Sequence, residues 1–196
     1  FKAGRDLPVP KIQFDYCYLK SENCEVVHFE DDESGAGMVK KPWETTLVGV
    51  DEATQSVMAI AVGSKECSNE CIIKSMVEFI TRMAYPSVRV RVHGEPTLVA
   101  VAGKVKDRLL IDHGIKIELE VAPKHSCQSM GAAGAAQRAL QEQLRCIKTD
   151  FEIRYGSKIG PDMVIWPWIV RHSAWLLDRF RIRVIGRSSY HDTTGC

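Results

Sequence analysis

The sequence lacks the features that mark membrane proteins and strongly charged proteins. No apolar run approaches the roughly 20 residues of a membrane-spanning helix. Charge of one sign is not in excess either, because 26 Lys and Arg face 25 Asp and Glu, giving a net charge of +1. We therefore expect no membrane partner, and only the local distribution of charge can indicate a nucleic-acid partner.

A compositional bias toward disorder is also lacking. Hydrophobic residues make up 45% of the 196 residues and charged residues 26%, which is typical of globular proteins. This length suits one domain with a substantial core.

The seven cysteines do not form a disulfide framework. Their number is odd, their spacing is irregular and no signal peptide is present, which favours a reduced, intracellular compartment. Cys67 and Cys71 are spaced as zinc ligands on a helix can be, but no second pair follows at ligand spacing. The abrupt ends, Phe1 and Cys196, indicate a segment of a longer polypeptide.

Charge is unevenly distributed along the chain. An acidic run occupies residues 30–33, and basic residues form three later groups. These groups are Lys104, Lys106 and Arg108; Arg138, Arg145 and Lys148; and Arg179, Arg181, Arg183 and Arg187. Solvated helix faces are the commoner explanation for such groups, and phosphate binding is the alternative.

Short alternating runs of apolar residues predict five strands. Prolines make residues 1–11 an extended lead-in, and an acidic, glycine-containing loop is expected at residues 29–44. The predicted strands cover residues 12–20, 45–50, 57–62, 87–92 and 115–121. The second and third of these strands read as a hairpin.

Helical periodicity predicts four helices, the first of them capped within Ser68-Asn69-Glu70 and stopped by Pro86. They cover residues 70–85, 96–113, 128–155 and 161–181. The order predicts an α/β fold, a mixed five-stranded sheet whose first three strands are antiparallel, flanked by helices. We assign residues 12–183 to this domain and residues 184–196 to a C-terminal tail.

Five segments, taken together, match one family. They are FDYCYL at residues 14–19, VHGEP at 92–96, PKHSCQSMG at 123–131, WPWIVRHSAWLL at 166–177 and GRSSY at 186–190. The set resembles the catalytic core of a retrotransposon integrase, copia-like elements in particular, which has a ribonuclease-H-like fold. Each segment alone is weak evidence, and the match covers nearly the whole chain.

The resemblance implies metal-dependent chemistry in DNA integration. In such a core, three carboxylates hold two Mg²⁺ or Mn²⁺ ions about 3.5–4 Å apart, which activate the nucleophile and stabilise the leaving oxygen. The aspartate of the family's first strand corresponds to Asp15, the catalytic and metal-binding candidate. An ionised group in an apolar strand is costly to bury unless it is paired or metal-bound, although an edge strand facing solvent would also explain it.

The other two ligand positions lack carboxylates. The aspartate of the family's second motif, Ser-Asp-x-Glu-Pro, corresponds to His93, and an imidazole does not neutralise two Mg²⁺ ions as a carboxylate does. Counting from Pro123 without gaps places the family's glutamate at Gly134. Gln137 is the nearest polar group and is uncharged, and Glu95 is interpreted as a charge at a helix start. We therefore expect impaired catalysis.

The resemblance also implies partners and a location. DNA is the expected partner, the nucleus is the expected compartment, and a homo-oligomer is possible in this family. The candidate nucleic-acid-binding residues are Lys124, Arg138, Arg145 and Lys148, of which the last three share one side of a long helix. The aromatic helix at residues 166–180 fits either core packing or a dimer surface.

Three alternatives to an impaired integrase core stay open at this point. The chain can be a nucleic-acid-binding domain without enzymatic activity, or a decayed copy without function. An unrelated ribonuclease-H-like enzyme is the third alternative, and the match at residues 166–177 argues against it.

Overall fold

The structure is a computed structural model that describes residues 9–19, 26–27, 45–63, 65, 69–123 and 127–195. The predicted acidic loop, most of the lead-in and Lys124 lie outside the described residues. The strands are β1 (Lys11–Leu19), β2 (Val26–Val27), β3 (Thr45–Asp51), β4 (Val57–Val62), β5 (Ser87–Val92) and β6 (Lys116–Val121). The helices are α1 (Glu70–Arg82), α2 (Pro96–His113), α3 (Gly131–Tyr155), α4 (Trp166–Phe180) and α5 (Ser189–Thr194), and a 3₁₀ turn, Cys127–Met130, precedes α3.

The strands form one mixed sheet in the order β4-β3-β1-β5-β6, which confirms the predicted α/β fold class. β1, β3 and β4 pair antiparallel, whereas β5 and β6 continue the sheet parallel to β1. The two-residue β2 pairs with the end of β1 and was not predicted, because so short a strand has no detectable period.

Each face of the sheet buries its own cluster of apolar residues. Alternation along β1 divides its side chains, so that Phe14 and Tyr16 pack with α1 and α2. Cys17 and Leu19 pack on the other face with α3 and α4, where Trp166 is fully buried. Gly49 of β3 makes room for Phe14, because a Cβ at Gly49 would lie 2.7 Å from Phe14 Cδ1. Asp15 shares the α3 face.

The helix ends differ from the predicted ones where the local backbone turns. α1 ends at Arg82 because Ala84 takes a positive φ of 54°. α4 begins at Trp166, with Pro167 in its first turn, and residues 161–165 form turns instead of the predicted helical start. The predicted tail contains α5, which Ser188 caps through its side chain.

Candidate functional site

Asp15 lies in the middle of β1, the central strand of the sheet. It pairs with Val48 of β3 and is half-buried, so the alternative of a solvent-facing edge strand does not apply. Burial and, to a smaller extent, the charge of Asp15 raise the pKa of the neighbouring Cys17 thiol. Cys17 is therefore a buried thiol on the same face as Asp15 and not a reactive thiolate.

His93 directly follows Val92, the last residue of β5, and β5 is the strand next to β1. β5 runs parallel to β1 with Val92 opposite Phe14, and the backbone N–H of His93 donates to the Phe14 carbonyl at 3.4 Å. His93 and Asp15 therefore lie side by side on neighbouring strands, each one residue beyond the Phe14–Val92 pair. The His93 side chain is exposed.

α3, the helix that carries Gly134, contacts Asp15 through Gln137. Gln137 Nε2 donates to Asp15 Oδ2 at 3.2 Å, and Gly134 lies three residues earlier on the same side of the helix. A Cβ added at Gly134 would lie 3.9 Å from Arg138 Nη1, so a basic side chain borders the space above the glycine. His93 thus lies on the strand beside Asp15, and Gly134 lies one helical turn before Gln137, the residue that contacts Asp15; their role in metal binding stays a prediction.

Gln13 is a part of this site that the sequence did not indicate as important. It is buried on β1, two residues before Asp15, and its Oε1 accepts a hydrogen bond from the Ala133 N–H of α3 at 3.0 Å. Its Nε2 donates to Glu52 Oε1 at 2.5 Å. Gln13 therefore satisfies one of the otherwise unpaired N–H groups at the start of α3. A glutamine amid apolar strand residues was the available signal.

The turn before α3 is also anchored to the sheet. Arg91 of β5 donates through Nη1 to the Ser129 carbonyl at 2.9 Å and forms an ion pair with Glu120 of β6 at 2.8 Å. The sheet thus fixes both the 3₁₀ turn and the first turn of α3. These contacts hold the start of α3 against β1 and β5.

Comparison with solved structures finds similar folds in retroviral integrases. The catalytic core domain of BIV integrase superposes with a TM-score of 0.58 at 14% identity, covering 94% of this chain and 93% of that one. The HTLV-2 integrase catalytic core domain, solved with magnesium in a trimeric form, gives 0.56 at 13% identity over 95% and 97% of the two chains. A chain of the simian T-cell lymphotropic virus intasome, in complex with the PP2A regulatory subunit B56 gamma, gives 0.60 at 15% identity, with 96% of this chain covering 55% of that one.

The chain has the fold of an integrase catalytic core. At identities this low the likeness establishes the fold and not the activity. No protein-family model matches the sequence, and a search of curated proteins finds no match either.

The donor groups around Asp15 do not fit a pair of Mg²⁺ ions. Mg²⁺ requires oxygen ligands, and of Asp15, His93 and Gly134 only Asp15 supplies a carboxylate. Across the part of the chain that the structure describes, no group of three or more His, Cys, Asp or Glu side chains is arranged to hold a metal. The exposed imidazole of His93 and the backbone of Gly134 supply no carboxylate oxygen.

Glu95 takes part in an ion pair. It is the N-cap of α2, as expected for a charge at a helix start, and its carboxylate accepts from Lys65 Nζ at 2.8 Å and 3.0 Å. Lys65 also lies over the rings of Tyr16 and Tyr18, at 4.9 Å and 4.8 Å from their centroids. Burial lowers the pKa of Lys65, but the hydrogen bonds to Glu95 and Tyr18 outweigh it, so its pKa is raised.

The candidate nucleic-acid-binding residues differ in how accessible they are. Arg138 and Arg145 are exposed on α3. Lys148 is mostly covered and lies 3.8 Å from Glu152 on the same helix, so its charge is partly compensated. Among the described residues, none of the helices combines the length and apolarity that crossing a bilayer requires.

Proposed function

We propose that this chain is the core domain of a retroelement integrase, copia-like in particular, that binds DNA in the nucleus and has lost most of its metal-dependent strand transfer. One observation carries the proposal. His93 continues β5 beside Asp15, α3 contacts Asp15 through Gln137 three residues after Gly134, and of Asp15, His93 and Gly134 only Asp15 carries a carboxylate. Arg138 adds support, because a guanidinium beside Gly134 disfavours a divalent cation there.

A strand-transfer assay tests the loss of catalysis. The unaltered chain and the variant His93→Asp/Gly134→Glu are each incubated with a DNA end, target DNA and Mg²⁺ or Mn²⁺. Because bound metal ions supply several kcal/mol of transition-state stabilisation, we expect the restored variant to exceed the unaltered chain by at least about 100-fold. Adding Asp15→Asn to the restored variant is the matched control and removes the gain.

Clear metal-dependent joining by the unaltered chain contradicts the proposal. Equal and undetectable joining by both proteins, with unchanged circular dichroism, also contradicts the view that the two carboxylates explain the loss.

DNA binding without chemistry is the second function that the structure favours. Exposed Arg138 and Arg145 lie on α3, the helix that also carries Gly134 and Gln137. Phosphate contacts by such side chains release counterions, so affinity falls steeply with salt. A retained basic face with a lost metal site is what a binding domain derived from an integrase would have.

Fluorescence anisotropy over a salt series tests this binding. The variant Arg138→Ala/Arg145→Ala should bind duplex DNA more weakly, and the slope of log K against log salt should fall by about 0.9 for each lost phosphate contact. Lys74→Ala, an exposed change on α1, is the control and should leave the slope unchanged. A slope equal in all three proteins excludes the α3 face as the binding surface.

The outer face of α4 is our candidate for the homo-oligomer contact. Trp168 and Trp175 are 58% and 42% exposed, and both rings stack on His172, at centroid distances of 4.7 Å and 5.4 Å. Large exposed apolar groups of this kind mark association surfaces. Light scattering after chromatography should find a dimer that Trp168→Ala/Trp175→Ala converts to a monomer; a dimer unaffected by the change removes α4 from the interface.

A further inference from the structure

Gln137 is a buried polar residue in an otherwise apolar stretch of α3. Only 1% of it is exposed, and Ala133, Ala136 and Leu140 around it on the helix are buried in the same cluster. Buried amides require hydrogen-bond partners, because leaving one unpaired costs the full desolvation penalty. The partner of the Gln137 amide is the Asp15 carboxylate, at 3.2 Å.

The Asp15 carboxylate needs a positive or donating neighbour for the same reason. A half-buried carboxylate is stabilised by a cation or by N–H donors, and hydrogen bonds to a charged group are stronger than those between neutral groups. Divalent cations beside Asp15 would need further carboxylates, which His93 and Gly134 do not supply. The side-chain N–H of Gln137 donates to the Asp15 carboxylate from α3, the helix on which the family resemblance places the third ligand.

We infer that Gln137 substitutes for a divalent cation at Asp15, so that the former metal site is now a polar connection between β1 and α3. The inference rests on the proposed function, since it takes Asp15 to be a former ligand. Gln137 is then a positioning residue that holds α3 against the sheet without metal. In this inference a hydrogen bond between Gln137 and Asp15 takes the place of the metal–carboxylate contact.

The neighbouring contact made by Gln13 has the same form. Gln13 and Asp15 are two residues apart on β1, and they bond to Ala133 and Gln137, which are four residues apart on α3. Two residues along a strand and one turn along a helix cover similar distances, about 6 Å each. The strand and the helix are therefore joined by two successive polar contacts on one face.

A double-mutant cycle in the presence of a chelator tests the connection itself. Asp15→Ala and Gln137→Met are made singly and together, methionine being of similar length and apolar. We expect each single change to lower the urea midpoint, and the combined loss to be smaller than the sum, because the hydrogen bond between the two side chains can be lost only once. Gln141→Met, one turn later on α3, is the control and should be additive with Asp15→Ala. Additive behaviour of Gln137→Met overturns the inference.

Titration calorimetry with MnCl₂ tests the substitution. The restored variant His93→Asp/Gly134→Glu is compared with the same variant carrying Gln137→Met. Because the metal then no longer competes with a hydrogen bond to a charged group, we expect the methionine variant to bind Mn²⁺ about tenfold more tightly. Equal affinities overturn the inference.

The two experiments keep the inference distinct from the proposed function. Failure of both restored variants to bind Mn²⁺, with their fold intact, contradicts the proposed descent from a metal-binding core. The metal-free cycle still decides in that case whether Gln137 and Asp15 are coupled.

Discussion

Ala84 is a single residue whose backbone conformation costs stability. It follows the end of α1 with φ at 54°, and its N–H donates to the Thr81 carbonyl at 3.0 Å. In this left-handed region the Cβ of an L-residue crowds the following carbonyl, at a cost of about 1–2 kcal/mol. Glycine has no Cβ and avoids the cost, which is why it commonly ends helices.

We therefore predict that Ala84→Gly raises the free energy of unfolding by about 0.5–1 kcal/mol, after the larger chain entropy of glycine in the unfolded state is subtracted. Ala100→Gly is the matched control, because Ala100 is equally exposed but lies inside α2. That change should lower the free energy of unfolding by about 1 kcal/mol. Urea denaturation measures both, and effects of the same sign at the two sites would refute the backbone explanation.

At the scale of elements, the last turn of α4 is fastened to the β3–β4 hairpin and to α1. Asp178, only 3% exposed, accepts from Ser56 Oγ at 2.5 Å and forms an ion pair with Arg82 Nη2 at 3.3 Å. Arg82 in turn donates to Ser56 Oγ at 2.9 Å. One carboxylate therefore joins three elements that are distant in sequence.

Asp178→Ala should remove the acceptor of the buried Ser56 hydroxyl and the ion-pair partner of the Arg82 guanidinium. Removing one member of a buried pair typically costs 3–5 kcal/mol, but Arg82 is 39% exposed on its side chain and water screens it, so we expect about 2–3 kcal/mol. Asp162→Ala, an exposed change in the turns before α4, should cost under about 0.5 kcal/mol. Equal midpoints for the two variants in urea would show that the α4 connection contributes little.

Elements with a long hydrophobic period were predictable from sequence, and elements set by a few residues were not. β1, β3, β4, β5 and β6 and the long helices follow patterns that local chain geometry imposes. The short β2 and α5, and the turns at residues 161–165, contain too few residues to show such a pattern. The family resemblance indicated Asp15, but the contacts of Gln13 and Gln137 arise only when α3 docks on β1, more than a hundred residues away in sequence.

At the scale of the whole molecule, burial or charged partners make several groups hold their protons more tightly in the folded state than in the unfolded one. Burial, followed by the charges of Glu95 and Tyr18, raises the pKa of Tyr16, and the Tyr16 hydroxyl has no hydrogen-bond partner among the described residues. Burial and the neighbouring Asp51 raise the pKa of Tyr85. The pKa of Cys17 is raised by burial and that of Lys65 by its partners, as described above.

These directions predict that the protein loses stability in alkali. Each raised pKa contributes stability that is fully present below the ordinary value of the group, 9.0 for Cys17, 10.0 for Tyr16 and 10.5 for Lys65, and that is lost as the pH rises toward the folded-state value. The urea midpoint should therefore fall progressively from about pH 9 upward, since the unfolded chain releases these protons first. Tyr16→Phe should make the decline of the urea midpoint with pH shallower without lowering the midpoint at pH 8. Tyr155→Phe, at an exposed position, is the control and should leave the decline unchanged. A midpoint that holds constant or rises between pH 9 and pH 11 would show that burial of these groups does not govern alkaline stability.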